Sequence, residues 1–299
     1  MTLKQLEAFY WAATCSSFAM AAERVHLSVS SLSKRIAELE ASLGQPLFDR
    51  SGRQAVLTET GQRLLPQAAA LLQQADALRQ DIVGAPGLRG PCRLGVGELT
   101  ALTWLPQWVA AIGQQHPALV VSVQVDIGEV LADRLDRGEL DVAVIAGRSR
   151  RGRLRCTPLA QASFRWCAAP ALARRLRHMD AAALRAQPLV TLPAGSGITP
   201  IVDEWLEQAQ ARADRRIVCN HWGAIVGLLA QGLGVGLLPD GWATALQQRG
   251  VLRALRSPVA LGSLDYALHS RRDDLRPLVP QLRDAARQVA DFSVTGGAF

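Results

Sequence analysis

Residues 17–43, SFAMAAERVHLSVSSLSKRIAELEASL, decide the fold. They read as two short helices joined by a tight turn at His26-Leu27. In the second helix Leu32, Ile36, Leu39 and Leu43 are spaced four, three and four apart, which puts them on one face. The opposite face, at its N-terminal end, carries Ser30, Ser31, Lys34 and Arg35. A helix anchored by one side, with hydroxyls and cations on the other, suits insertion into the major groove of DNA. Ser28 is placed to cap that helix, and Gly44 stands where a helix end favours a residue free to adopt positive φ.

Outward from this pair the pattern stays regular. Upstream, residues 3–15 form a first helix with Leu3, Leu6, Phe9, Tyr10 and Ala13 on one side. Downstream, residues 47–50 and 54–58 read as short strands around Ser51-Gly52, a tight hairpin with Arg50 and Arg53 bracketing its tip. Such a wing aims cations at phosphates or a minor groove. From Glu59 to about residue 82, Leu64, Ala68, Leu71, Ala75, Leu78 and Ile82 follow a heptad seam. It fits a dimerising helix or, alternatively, an amphipathic helix packed on its own domain. Gly84-Ala85-Pro86-Gly87 then reads as a hinge.

Beyond the hinge, β-rich runs alternate with helical ones: strands at 93–96, 119–125 and 140–145, helices at 102–115 and 130–137. This βαβαβ order predicts a mainly parallel sheet. A second unit follows, with strands near 165–169, 189–192, 217–220 and 236–238 and helices near 200–211 and 224–231. A strand near 264–269 and a helix near 280–292 return to the first unit. Two α/β lobes joined by such crossings make a hinged cleft. The division predicted is a DNA-binding unit at 1–58, a linker helix at 59–83, a hinge at 84–90 and a two-lobed domain at 91–299. Lobe 1 takes about 91–160 and 262–299, and lobe 2 about 161–261.

Composition narrows the function. The chain has 299 residues, 49% hydrophobic, a folded globular protein's share. No stretch of eighteen apolar residues occurs, and Lys4 and Glu7 interrupt the start, so a cytoplasmic protein without membrane attachment is expected. The net charge of +7 says little about DNA, because residues 1–60 balance six Lys/Arg against six Asp/Glu. Cys15, Cys92, Cys156, Cys167 and Cys219 form no CxxC pair, and read as packing residues or, alternatively, a redox pair. The five histidines show no metal-ligand spacing, and no metal or cofactor is expected. Gly232-x-Gly234-x-Gly236 follows a helix and leads into a strand, the reverse of a dinucleotide loop. With no GxSxG and no P-loop, an enzyme is disfavoured. A solute-binding protein without DNA-binding output is the rival reading.

Two loops are candidates for a small ligand. Glu98-Leu99-Thr100-Ala101-Leu102-Thr103 precedes a helix in lobe 1, and Pro193–Thr199, with Ser196 and Thr199, precedes one in lobe 2. Hydroxyls and free N–H groups there favour an anion such as a small carboxylate, with plain helix capping as the alternative. His221 and Trp222 line the cleft or belong to the core. Arg148, Arg150, Arg151, Arg153 and Arg155 attract an acidic effector or a partner such as polymerase, or form a solvated loop.

Ala21-Ala22 followed by SVSSLSKRIAELEASLGQPLFDR, together with GLGVGLLP at 232–239, resembles the LysR-type transcriptional regulators, and the resemblance spans essentially the whole chain. It implies a multidomain fold: an N-terminal all-α winged helix-turn-helix, a long linker helix that dimerises, and an α/β two-lobed effector domain similar to type 2 periplasmic binding proteins. It further implies double-stranded operator DNA, a small-molecule effector and RNA polymerase as partners, and a homo-oligomer built as a dimer of dimers. Family members commonly carry Gln at the position of Val29 and often Pro at that of Ser30. Val29 offers only an apolar surface to a thymine methyl, so the family's base preference does not transfer there. Val29, Ser30, Ser31 and Lys34 are placed near base edges, and Ser33, Arg35, Arg50 and Arg53 near phosphates or the minor groove. Thr100, Thr103, Ser196, Thr199 and His221 are the effector candidates, and the resemblance favours Thr100 in particular.

Overall fold

The computed structural model describes residues 1–51, 55–83, 88–147, 151–274 and 276–294, without the side chains of 76, 77 and 79–83. The N-terminal reader is three helices, α1 (Leu3–Thr14), α2 (Phe18–Arg24) and α3 (Val29–Leu43), then two short antiparallel strands, β1 (Phe48–Asp49) and β2 (Val56–Leu57). Each helix starts on a hydroxyl: Thr2, Ser17 and Ser28 accept the N–H groups of Gln5, Met20 and Ser31. α3 stops at Gly44, whose φ of +67° suits a residue without Cβ. Leu32, Ile36 and Leu39 sink into a core with Leu6, Phe9, Ala21, Ala22, Leu47 and Phe48. Leu43, expected as the fourth member of that stripe, is 38% exposed because the last turn of α3 overruns the core. Arg53 and the hairpin tip at 52–54 lie outside the described residues.

Helix α4 (Glu59–Val83) divides the heptad seam between two environments. Ala68 is fully buried, and Leu64 and Leu72 pack with it on the reader's own core, while Leu71 and Leu78 stay exposed. The side chain of Ile82 and the hinge at 84–87 lie outside the described residues.

Lobe 1 contains β3 (Arg89–Val96), α5 (Glu98–Leu102), α6 (Leu105–Gln115), β4 (Ala118–Val125), α7 (Gly128–Asp136), β5 (Val142–Ala146) and β6 (Leu154–Ala162). Lobe 2 contains β7 (Phe164–Ala168), α8 (Pro170–Leu176), α9 (Ala181–Ala186), β8 (Leu189–Thr191), α10 (Thr199–Gln208), β9 (Arg216–Val218), α11 (Trp222–Ala230), β10 (Gly236–Pro239), α12 (Asp240–Gln248) and β11 (Arg253–Leu255). The chain then returns to lobe 1 as β12 (Leu264–Arg271) and α13 (Leu278–Val289), and the Trp108 indole N–H ties α6 to α13 at the Leu282 carbonyl, 3.0 Å away.

Three features differ from the sequence expectation. The lobe 1 sheet, ordered β4-β3-β5-β12-β6, is mixed: β3 runs parallel to β4 and β5, whereas β12 is antiparallel to β5 and β6. The chain leaves lobe 1 along β6 and comes back along β12, so those two strands run opposite ways. Second, β6 occupies residues read as loop, because the arginines at 153 and 155 hide a strand in which Leu154 and Ala162 turn inward. Third, the loop expected at 98–103 is mostly the short helix α5, and the helix expected at 102–115 is α6, which starts at Leu105 after a break at Thr103-Trp104. In lobe 2, Gly232 and Gly234 carry α11 into β10, where a Cβ at Gly234 would stand 2.2 Å from the Pro188 carbonyl oxygen. That close approach accounts for Gly234, and a φ of +74° accounts for Gly232, without any phosphate.

Candidate functional site

The reader presents the N-terminal end of α3 to solvent. Val29 is 46% exposed, Ser30, Ser31 and Lys34 are exposed, and Ser33 and Arg35 are half-buried. The Ser28 hydroxyl caps Ser31 N–H at 3.1 Å and lies 2.9 Å from the Ser30 hydroxyl, so part of this hydroxyl cluster fixes the helix start. Arg50, on the wing, stands 3.7 Å from Glu40, whose other oxygen accepts the N–H groups of Leu47 and Phe48. Glu40 thus holds the base of the wing against α3 and draws Arg50 toward the same edge.

A cleft of about 840 Å³ opens between the lobes. Lobe 1 lines it with Glu98, Asp126, Ile127, Glu129 and Tyr266, among others, and lobe 2 with Ser196, Asn220, His221 and Trp222. Glu98 crosses the gap: its Oε1 accepts the N–H of Trp222 at 2.9 Å and lies 3.5 Å from His221 Nε2. Burial pushes the Glu98 carboxyl up, with that N–H and His221 pulling the other way. His221 itself caps α11, its Nδ1 accepting the Ala224 N–H at 3.3 Å. Arg151, at the rim, is paired with Asp133 at 2.6 Å.

The sequence candidates fall in three positions. Ser196 and His221 line the cleft. Thr199 stands behind Ser196, with the two hydroxyls 3.1 Å apart. Thr100 and Thr103 are fully buried beneath the lining: the Thr103 hydroxyl donates to the Leu99 carbonyl at 2.6 Å, while the Thr100 hydroxyl has no partner among the described residues. Glu98, quoted in its loop but not singled out, bonds across the cleft to lobe 2. A carboxylate where an anion site was expected was the signal for it.

All five cysteines are free, and burial pushes the thiols of Cys92 and Cys167 up to about 12, which leaves them inert. Among the described residues no group of three or more His, Cys, Asp or Glu could hold a metal, and no helix is long and apolar enough to cross a membrane.

Known proteins share both halves of this architecture. Residues 3–62 match the bacterial regulatory helix-turn-helix protein, lysR family, and residues 85–291 match the LysR substrate binding domain. A probable hydrogen peroxide-inducible genes activator of Mycobacterium avium is 33% identical over 303 residues, covering 96% of each chain. Full-length OxyR from Pseudomonas aeruginosa superposes with a TM-score of 0.62 at 25% identity, over 97% of this chain and 96% of that one. CbnR complexed with its target DNA shares the fold, with a TM-score of 0.55 at 20% identity, over 97% of this chain and 100% of that one.

Proposed function

Because the chain belongs to the LysR family of DNA-binding transcriptional regulators, we propose that α3 reads operator DNA while a small effector, bound between the lobes, sets the output. The free N-terminal face of α3 supports this most directly: Val29, Ser30, Ser31 and Lys34 are exposed while Leu32, Ile36 and Leu39 anchor the helix from behind. Val29 meets a thymine methyl, Ser30, Ser31 and Lys34 reach base edges, and Ser33, Arg35, Arg50 and Arg53 take phosphates or the minor groove.

The effector lies against Ser196, Glu98 and His221 and, once the lobes part, the unpartnered hydroxyl of Thr100. Thr103 and Thr199 hold the backbone around it. An effector with a carboxylate toward the Ser196 loop and a cationic nitrogen toward Glu98 satisfies both signs of charge in the lining. The protein works in the cytoplasm without catalysing a reaction, as a dimer of dimers joined partly through Leu71 and Leu78 of α4, and contacts RNA polymerase.

Gel-shift titration at several salt concentrations tests the reader, using fragments that the full-length protein selects from a random-sequence pool. Lys34→Ala and Arg53→Ala should each weaken binding, on the order of tenfold, and lower the salt slope by about 1. Unchanged affinity at every salt concentration would reject the placement.

A further inference from the structure

The reader also touches lobe 1 directly, away from its DNA face. Arg24, the last residue of α2, is 7% exposed and sits in the seam between the two. Its Nη1 donates to Asp141 Oδ1 at 2.7 Å, and its Nε and Nη2 donate to the Gly138 carbonyl. Asp141, 1% exposed, also accepts Arg276 Nη2 at 2.7 Å and the Arg93 N–H at 2.7 Å. Arg276 in turn holds Asp274, and buried Arg271 reaches Asp273 at 3.3 Å. The guanidiniums of Arg24 and Arg276 lie 4.9 and 4.8 Å from the centre of the Trp11 ring in α1. Two further hydrogen bonds cross the seam, each 3.3 Å long: the Tyr10 hydroxyl to the Asp273 carbonyl and the Ser16 N–H to the Arg137 carbonyl.

Arg24 and Arg276 meet the buried carboxylates of Asp141 and Asp274, which is what burial of charge requires, while Arg271 reaches the more exposed Asp273 through Nε alone. Arg24 is the reader's contribution to this ion cluster, and the other members belong to lobe 1. We propose that the cluster is a clamp joining the reader and lobe 1 of one chain into a single body. Lobe 1, rather than the α4 linker alone, then fixes how far apart two readers sit on DNA. The clamp rests on the DNA-binding reading above.

Arg24→Met cuts the link from the reader side and keeps the aliphatic stem, leaving Asp141 paired with Arg276 and the Arg93 N–H. Asp141→Asn weakens it from the lobe side by removing the carboxylate charge, so the test survives if either variant fails to fold. Full-length proteins are titrated against selected two-half-site fragments and against copies with about half a helical turn inserted between the half-sites. The wild type should lose about tenfold or more on the lengthened fragments, and a folded variant less than about threefold. A folded variant that keeps the wild-type penalty overturns the clamp. Failure of the wild type to bind any fragment would instead overturn the DNA reading, which separates the two. A third protein, Ser16→Cys/Arg137→Cys, is joined by a short thiol cross-linker, mapped by peptide mass and run on a denaturing gel, where a link within one chain keeps the monomer size and a link between two chains doubles it. A link within one chain supports the clamp, and a link between two chains overturns it.

Discussion

Thr100 and Thr103 are alike in type and burial, yet their hydroxyls differ. Thr103 donates to the Leu99 carbonyl, whereas Thr100 has no partner among the described residues. Thr103→Val removes a buried hydrogen bond and should cost about 1–2 kcal/mol in urea unfolding. Thr100→Val removes an unpaired buried hydroxyl and should be neutral or stabilising by up to about 1 kcal/mol, while blunting the response to the effector. Equal destabilisation by both variants would mean that Thr100 has a stabilising partner. The sequence displayed these hydroxyls as types. Which one is satisfied depended on the short helix α5, whose turn brings the Leu99 carbonyl to Thr103 in a segment that reads as a loop.

Among the elements, α3 was legible almost to the residue, because its stripe lies within the fifteen-residue helix and its caps, Ser28 and Gly44, flank it directly. α4 was legible as a helix but not in its surroundings. A heptad seam records which side chains share a face, and is silent about which partner covers them. Its first half lies on the reader's core through Leu64, Ala68 and Leu72, while Leu71 and Leu78 remain 42% and 61% exposed. The two halves should respond differently to charge. Leu71→Glu and Leu78→Glu should shift the protein toward monomer in sedimentation equilibrium with little loss of thermal stability. Ala68→Glu should unfold the reader, at roughly 3 kcal/mol or more for an unpaired buried carboxylate. If Leu78→Glu sediments like the wild type, that part of the seam does not hold the oligomer.

On the scale of the whole molecule, three strands of lobe 1 join the cleft to the clamp. β5 starts beside Asp141 and ends at Ile145 and Ala146 in the cleft lining, roughly 16 Å away at strand rise. β3 passes from Arg93 to Gly97 and Glu98, and β12 from Tyr266 to Arg271. This layout was hidden from the sequence because Arg24 and Asp141 are 117 positions apart, and Asp141 and Arg276 are 135 apart. A single chain gives no sign of which distant charges will meet. The clamp has a pH signature of known sign. Burial alone would raise the Asp141 carboxyl, but Arg276, Arg24 and the Arg93 N–H together hold it below the usual carboxylate range. A carboxyl lowered on folding contributes stability that is complete above its unfolded value, about 3.9, and is lost as pH falls through its folded value. Wild type should therefore be more stable than Asp141→Asn by about 3 kcal/mol across roughly pH 5–8, and the gap should close only below about pH 4. Denaturant unfolding of both proteins along a pH series measures it. A gap already closing near pH 6, or none at neutral pH, would show that Asp141 is not held in its charged form by Arg24 and Arg276.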